Sequence, residues 1–408
     1  MGGSDVSGLA GEPKLRLKTY LPGFPDFIMK ILFVGNSGPV FLTHRLPLVM
    51  AALKAGHDVH VALPPSSMSH QIANYGFKFH EIPLFRSTIN PLTEIRSLVA
   101  LYFLYRKIRP DIIHHVTLKP VLYGSLAAHL AKIPAIANTI SGLGYVFITN
   151  SFKANVLFIL VKYFFKISFL HPNKRVIFQN PENLSDFLSY GLIDKKSAVL
   201  IKGSGVDIET FKPSSEPHST PIVMVASRML LDKGICEFVE AAREIKSEGS
   251  KVRFVLVGDV DSGNPMTLTA KQIKKWVDED VIEWWGKQQN MSEIFSQAHI
   301  ISLPSYAEGL PKVLIEACAC GRPIVTTDVS GCRDTIINDE NGILVPPRDS
   351  KALASAFRKL ISDPQLRKRM GKAGRKIAVN EFSIEIVIQK TFTVYQDLSK
   401  SFNTQPFQ

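Results

Sequence analysis

The chain has 408 residues, 45% hydrophobic and 21% charged, with a formal net charge of +12. That length is too great for one core and suits two domains of about 200 residues each, and the composition excludes an extended disordered protein. The charge is lopsided: residues 1–205 hold 22 Lys and Arg against 10 Asp and Glu, whereas residues 206–408 hold 26 of each sign. The first half is therefore expected to meet an anionic partner, either nucleic acid or an anionic membrane surface. No zinc-finger, RNA-recognition or arginine-rich motif accompanies the charge, which disfavours nucleic acid.

Residues 1–28 lack the continuous apolar run of a signal peptide and precede Met29 and a strong strand pattern, KILFVG. They are expected to be a leader or extension outside the fold. From Lys30 the chain alternates β-branched runs with amphipathic stretches, the pattern of parallel βαβ units: KILFVG, DVHVALP, DIIHHV, IPAIANTI and RVIFQN read as strands. After the first strand, GNSGPVF (35–41) carries Gly35 and Gly38. It is not a GxGxxG fingerprint, so a nicotinamide cofactor is disfavoured. The glycines suit either a backbone that approaches an anion or sugar, or an ordinary strand-to-helix turn.

Two stretches bear on the membrane question. LVALYFLYRKIR (98–109) runs from apolar to basic, and SFKANVLFILVKYFFKISFLHPNKR (151–175) is broadly apolar with Asn155, Lys162 and Lys166 as a thin polar stripe. Lysines interrupt the second before it is long enough to span, so it reads as a helix in the membrane interface or as a buried helix with snorkelling lysines. His114 and His115 are neighbours on a strand and point to opposite faces, so at most one can face a cleft.

The pattern restarts after the turn-rich IKGSGVDIETFKPSSEPHST, and PIVMVAS, VRFVLVGD, VIEWWG, IISLPS, PIVTTD and GILVPP read as a second set of strands. The expected organisation is a first domain at 29–205, a second at 206–381, and a terminal helix and tail at 382–408 that cross back to the first. Two doubly wound sheets would leave a cleft at the carboxyl ends of their strands. Cys236, Cys318, Cys320 and Cys332 match neither a disulfide framework nor a zinc site and are expected to be reduced packing residues.

In SRMLLDKG (227–234), Arg228 and Lys233 bracket a loop, and a guanidinium fork with an ammonium suits a diphosphate. In EGLPKVLIEACACGRPIV (308–325), Pro311 is placed to start a helix that Gly321 stops, which would offer the amides of Gly309, Leu310, Lys312 and Val313 to phosphate. A carboxylate would repel phosphate, so Glu308 and Glu316 are expected to accept from hydroxyls on either side of it, one on a sugar and one on a ribose. Each could instead be a helix-start or surface carboxylate.

These motifs, with TDVSGCRD (327–334), TLKPVLYG (117–124) and SGLGYVF (141–147), closely resemble family 4 of the glycosyltransferases from Met29 to about Lys400. The resemblance implies an α/β fold of GT-B type, with two Rossmann-like domains facing across a cleft and a terminal helix crossing back. It also points to the bacterial branch that extends lipid-linked oligosaccharides for O-antigen, capsule or N-glycans. It implies a retaining hexosyltransferase, needing no metal or other cofactor, that moves a sugar such as N-acetylgalactosamine from a UDP-sugar to an undecaprenyl-diphosphate-linked acceptor at the cytoplasmic membrane face. Arg228 and Lys233 would hold the donor diphosphate, Glu308 the donor sugar and Glu316 the ribose, with Gly38 beneath. Departing charge would be stabilised by the cations and helix amides, and a β-phosphate oxygen could take the acceptor proton. GDVD (258–261) superficially matches a metal-binding Asp-x-Asp, but Asp259 and Asp261 fall in a loop the family varies. Val116 stands where relatives carry a second histidine, so His115, Arg45 and Lys119 are the candidates for the acceptor side. A sugar-nucleotide epimerase and a non-catalytic binding subunit are the rival readings.

Overall fold

The computed structural model describes residues 28–86, 90–141 and 161–400. Asn155 and nearly all of the SGLGYVF stretch lie outside the described residues. Two parallel sheets organise the rest. The first has seven strands in the order β3-β2-β1-β4-β5-β6-β7: β1 (Lys30–Val34), β2 (Asp58–Leu63), β3 (Lys78–Glu81), β4 (Ile112–Val116), β5 (Ala135–Ile140), β6 (Lys174–Phe178) and β7 (Ala198–Leu200). The second has six in the order β10-β9-β8-β11-β12-β13: β8 (Ile222–Ala226), β9 (Arg253–Val257), β10 (Glu283–Trp284), β11 (Ile300–Leu303), β12 (Ile324–Thr327) and β13 (Gly342–Val345).

The central strands are continuous apolar runs because helices cover both faces of a parallel sheet. β4, β5 and β8 are buried along their whole length. The alternating-run pattern finds every central strand but not β3 and β7. These edge strands, KFHE and AVL, are short and part-exposed, so they carry no long apolar signature.

In both sheets the order reverses beside the first strand, at β1/β4 and at β8/β11. Loops leaving the two strands there diverge, which opens a crevice at their carboxyl ends. GNSGPVF follows β1, TLKP follows β4, SRMLLDKG follows β8 and SYAEGLP follows β11, so these four motifs lie at reversal points.

The chain crosses between the sheets twice, side by side. The Val206 amide donates to the Phe382 carbonyl and the Ile384 amide to the Val206 carbonyl, both at 2.9 Å. The last helix, Ile384–Lys400, then buries Ile388, Phe392, Tyr395 and Leu398 in the core of the first domain, as its amphipathic pattern leads one to expect. No helix among the described residues is long and apolar enough to cross a membrane. Cys318, Cys320 and Cys332 are buried, Cys236 is half-buried, and all four are unpaired thiols.

Candidate functional site

Backbone geometry brings the SRMLLDKG and SYAEGLP loops together. Gly234 sits at φ +69°, and a Cβ there would lie 2.0 Å from the Pro304 carbonyl oxygen, so only glycine lets the two loops touch. The Tyr306 amide and the Ser305 hydroxyl both donate to the Asp232 carbonyl, at 2.9 and 3.0 Å. Gly331, at φ +79°, lies under the carbonyls of Glu308 and Gly309, where a Cβ would come within 2.6 Å of both. The TDVSGCRD turn is thus the floor of the EGLP loop.

On this frame Lys233 reaches Glu308, Nζ to Oε1 at 2.5 Å, with both side chains about 85% buried. Burial pulls the Lys233 ammonium down, but the Glu308 carboxylate beside it wins and holds it above its ordinary range. Arg228 pairs with Asp261 at 2.5 Å. Asp261 lies in a loop, as expected, and there it is the counter-ion of the candidate phosphate arginine, whereas Asp259 accepts from the Val260 amide in its own loop. Arg86, from the other sheet, stands close enough to Arg228 and Asp261 for both charges to act on it.

The helix Lys312–Ala319 begins one residue later than expected. Pro311, at φ −72° and ψ +118°, is its N-cap, and no side chain caps it. The first amides are therefore open to an acceptor from outside the chain. Gly321, at φ +67°, closes the far end as its position implies. Glu316 is on the second turn, 9% exposed, with Lys312 one turn earlier at 3.2 Å. Burial raises its carboxyl above the ordinary range despite that lysine. Gly309 and Leu310 are buried in the loop between the two glutamates.

The structure shows contacts across the cleft that the spacing did not suggest. Lys312 also donates to the Thr43 carbonyl at 2.8 Å, next to His44, whose Nδ1 lies 2.9 Å from Ser204 Oγ within the first domain. Asn180 is fully buried; its Oδ1 accepts from the Asn183 amide and caps a helix, while Nδ2 donates to the Gly309 carbonyl at 2.6 Å. An Asn-Pro pair after a strand signals the cap, but the second bond depends on how the two sheets meet and leaves no local trace.

The first-domain candidates fare differently from the second-domain ones. His115 does not face the cleft: it is fully buried, with Nδ1 2.7 Å from Asn138 Oδ1 and Nε2 3.0 Å from Tyr105 Oη, and burial pushes it down to about 3. His114 is equally enclosed, between Tyr395 Oη at 2.6 Å and Thr139 Oγ1 at 2.7 Å. The strand is buried on both faces, so its alternation offers neither ring to the cleft. Lys119 is tied to Glu94 at 2.7 Å and to the Phe85 carbonyl at 3.1 Å. Gly38 is buried, and a Cβ there would meet Ser66 Oγ at 3.0 Å, so its smallness serves packing against the β2 loop. Arg45 is 5% exposed and lines a cavity under the glycine loop.

The comparisons with known proteins agree with this layout. Residues 30–180 match the family described as Glycosyl transferase 4-like, and residues 206–377 match Glycosyl transferases group 1. The chain is 28% identical to the N,N'-diacetylbacillosaminyl-diphospho-undecaprenol alpha-1,3-N-acetylgalactosaminyltransferase of Campylobacter jejuni, covering 91% of this chain and 100% of that one. It is 26% identical to the capsular polysaccharide biosynthesis glycosyltransferase CapM of Staphylococcus aureus, covering 88% and 96%. Among solved structures, a glycosyltransferase from Rickettsia africae superposes with a TM-score of 0.75 at 21% identity over 91% of this chain and 99% of that one. That likeness shows the GT-B fold.

Proposed function

The chain belongs to the family 4 glycosyltransferases, with two sheets in the GT-B arrangement, and from that membership we propose that it moves an N-acetylhexosamine, such as N-acetylgalactosamine, from its UDP-sugar to an undecaprenyl-diphosphate-linked acceptor. The observation that carries the reading is the convergence at one reversal point of Arg228, Lys233 and the uncapped start of the 312–319 helix. Two cations and free amides suit a diphosphate, and Glu308 and Glu316 lie on either side of that helix start, where a transferred sugar and a ribose would hang from it.

The residues then divide the work as follows. Arg228 and Lys233 exchange part of their bonding from Asp261 and Glu308 to the diphosphate, and they hold the charge that grows on it as the glycosidic bond breaks. Glu308, released from Lys233, accepts from a sugar hydroxyl. Reaction with retention brings the acceptor hydroxyl to the face the diphosphate leaves, and a departing phosphate oxygen takes its proton. No residue among His114, His115 and Lys119 is placed to serve as a separate base, since each is held by neighbours. No metal or other cofactor enters this scheme.

The acceptor reading draws support from the names of the relatives and from the surface of the first domain. The helix Pro91–Ile108 exposes Leu92, Ile95, Val99 and Phe103, three or four residues apart on one side, with Arg96 and Arg106 flanking them. An apolar stripe rimmed by arginines suits the cytoplasmic, anionic face of a membrane. Its first turn carries Glu94, the partner of Lys119 after β4, so the stripe begins at the mouth of the cleft. In the 161–168 helical segment, Tyr163, Phe164 and Lys166 are exposed, whereas Lys162 lies 3.9 Å over the Tyr190 ring.

A screen of UDP-N-acetylgalactosamine, UDP-N-acetylglucosamine, UDP-galactose and UDP-glucose against the lipid-linked acceptor tests the proposal, with the anomeric configuration of the product read by NMR. An α-linked product from an α-linked donor is expected. A β-linked product contradicts retention, and turnover that requires added divalent metal contradicts the metal-free scheme.

A further inference from the structure

Arg45 carries a charge that no described residue balances. It lies between the helices Gly38–His44 and Leu46–Lys54, 5% exposed, and its Nε has no hydrogen-bond partner. No carboxylate acts on it, and the titratable groups around it are Tyr395, His114 and His44, none of which offers a negative charge at neutral pH. Burial pulls the guanidinium down to about 10, which still leaves it protonated. Every other deeply buried arginine described here has several partners: Arg322 reaches carbonyls of Ser214, Ser215, Phe295 and Ser296, and Arg367 makes a two-pronged pair with Glu216.

The cavity Arg45 lines is bounded by Asn36 and Ser37 after β1 and by Val116 and Thr117 at the end of β4. It therefore sits in the reversal crevice of the first sheet, the counterpart of the Arg228 and Lys233 crevice in the second. Thr117 adds an independent sign. Its φ is +75°, which a β-branched residue adopts only at a cost of about 1–3 kcal/mol, and in that pose its hydroxyl donates to Asn36 Oδ1 at 2.9 Å. The bond turns the Asn36 carboxamide so that its NH2 end is free to donate elsewhere. Ser37 accepts the Val40 amide, which likewise leaves its O–H free to donate. The crevice thus sets two donors, Asn36 and Ser37, beside one buried cation, with Phe33, Val40, Phe41 and Val116 forming an apolar wall around them.

We propose that this crevice is a second phosphate-oxygen site, distinct from that of Arg228 and Lys233, in which Arg45 pairs with one oxygen of a diphosphate while Asn36 and Ser37 donate to its neighbours. The inference rests on the glycosyl-transfer reading only for the source of that diphosphate. The lipid-linked acceptor and the nucleotide sugar each carry one.

Thermal shift of the full chain with inorganic pyrophosphate, at saturating UDP to fill the second-domain site, tests the proposal and needs no turnover. Wild type is expected to show a pyrophosphate shift that Arg45→Met loses, with affinity weakened about 10- to 100-fold, as removal of a charged hydrogen-bond partner implies. Without anions Arg45→Met should melt no lower than wild type, because it removes an unbalanced buried charge. If Arg45→Met does not fold, Arg45→Gln gives the same reading. Loss of the pyrophosphate shift with UDP affinity intact assigns the crevice to the acceptor's diphosphate. A UDP affinity that itself falls at least 10-fold assigns it to the donor's. If neither ligand depends on residue 45, or wild type shows no pyrophosphate shift at saturating UDP with unchanged UDP affinity in the variants, the proposal is overturned. Failure of sugar transfer in a separate assay would leave this binding result standing, so the two readings fail separately.

Discussion

The two crevices treat charge in opposite ways. In the second domain each cation near the site has an acid beside it: Arg228 with Asp261, Lys233 with Glu308 and Lys312 with Glu316. In the first, Arg45 is buried with no acid beside it among the described residues. The same contrast runs through the whole chain, with an excess of 12 positive charges in residues 1–205 and balance in 206–408. Internal pairing keeps buried charges affordable and their geometry fixed, so a ligand must displace a partner. An unpaired cation waits for its anion from outside. On the function proposed above, the neutral domain would exchange ions with a nucleotide, and the basic domain would receive charge from a lipid surface and what it carries.

Four variants test this contrast, taken from the largest expected effect. Lys233→Met should lower kcat/KM about 10²- to 10³-fold, as loss of one charge-stabilising donor does, and weaken UDP binding in calorimetry. Activity within threefold of wild type would remove Lys233 from the second-domain site. Val99→Ser with Phe103→Ser withdraws two large exposed side chains of the 91–108 helix. Partition onto vesicles containing phosphatidylglycerol should fall about 100-fold, from about 1.5 kcal/mol or more for each chain buried. Unchanged sedimentation would show that the stripe does not enter the membrane.

Glu316→Gln keeps volume and removes the charge; UDP affinity should fall about 10-fold, since a charged acceptor of hydroxyl bonds is worth about 1.5 kcal/mol or more. Equal affinity would leave Glu316 as a partner of Lys312 alone. His115→Gln should leave UDP binding unchanged and alter only the pH dependence of stability. The buried ring titrates near 3 against 6.5 in the unfolded chain, so the unfolded state binds the extra proton. Stability is therefore present above about pH 6.5 and lost as pH falls toward 3, and the variant should flatten that slope in urea titrations at pH 7.5, 6 and 5. A steeper dependence in the variant, or a raised acceptor KM with the slope intact, would return His115 to the cleft.

The sequence carries most of the fold and the loops that meet around Lys233 and Glu308, and the reason is local. Strands buried on both faces write long apolar runs, and Gly234 and Gly331 are dictated by backbone approaches within a few Å. The edge strands KFHE and AVL write nothing comparable because they are short and none of their residues is fully buried. The acceptor side was less legible. Alternation along HHV allows at most one histidine to face the cleft, and in a sheet covered by helices both faces are interior, so neither does. Asp261 is readable from the sequence as a loop residue, but its pairing with Arg228 is not, because that partner lies 33 residues away. Asn180 meets Gly309 across 129 residues, and Lys312 meets Thr43 across 269. Such contacts follow from how two sheets are set against each other, which no window of sequence reports. Arg45 was visible as a residue of interest, but that its charge is unbalanced is a fact about what surrounds it.

The central claim is that sugar leaves the nucleotide in the second domain and arrives on a lipid-linked acceptor held at the first. Incubation of the full chain with UDP-N-acetylgalactosamine labelled in the sugar, and vesicles carrying an undecaprenyl-diphosphate-linked sugar, followed by extraction into organic solvent, measures this directly. The account predicts that label enters the lipid phase with stoichiometric release of UDP. Label that stays in water as a UDP-sugar of altered configuration would make the protein an epimerase, and tight UDP binding with no movement of label from any UDP-sugar would make it a binding subunit; either contradicts the account.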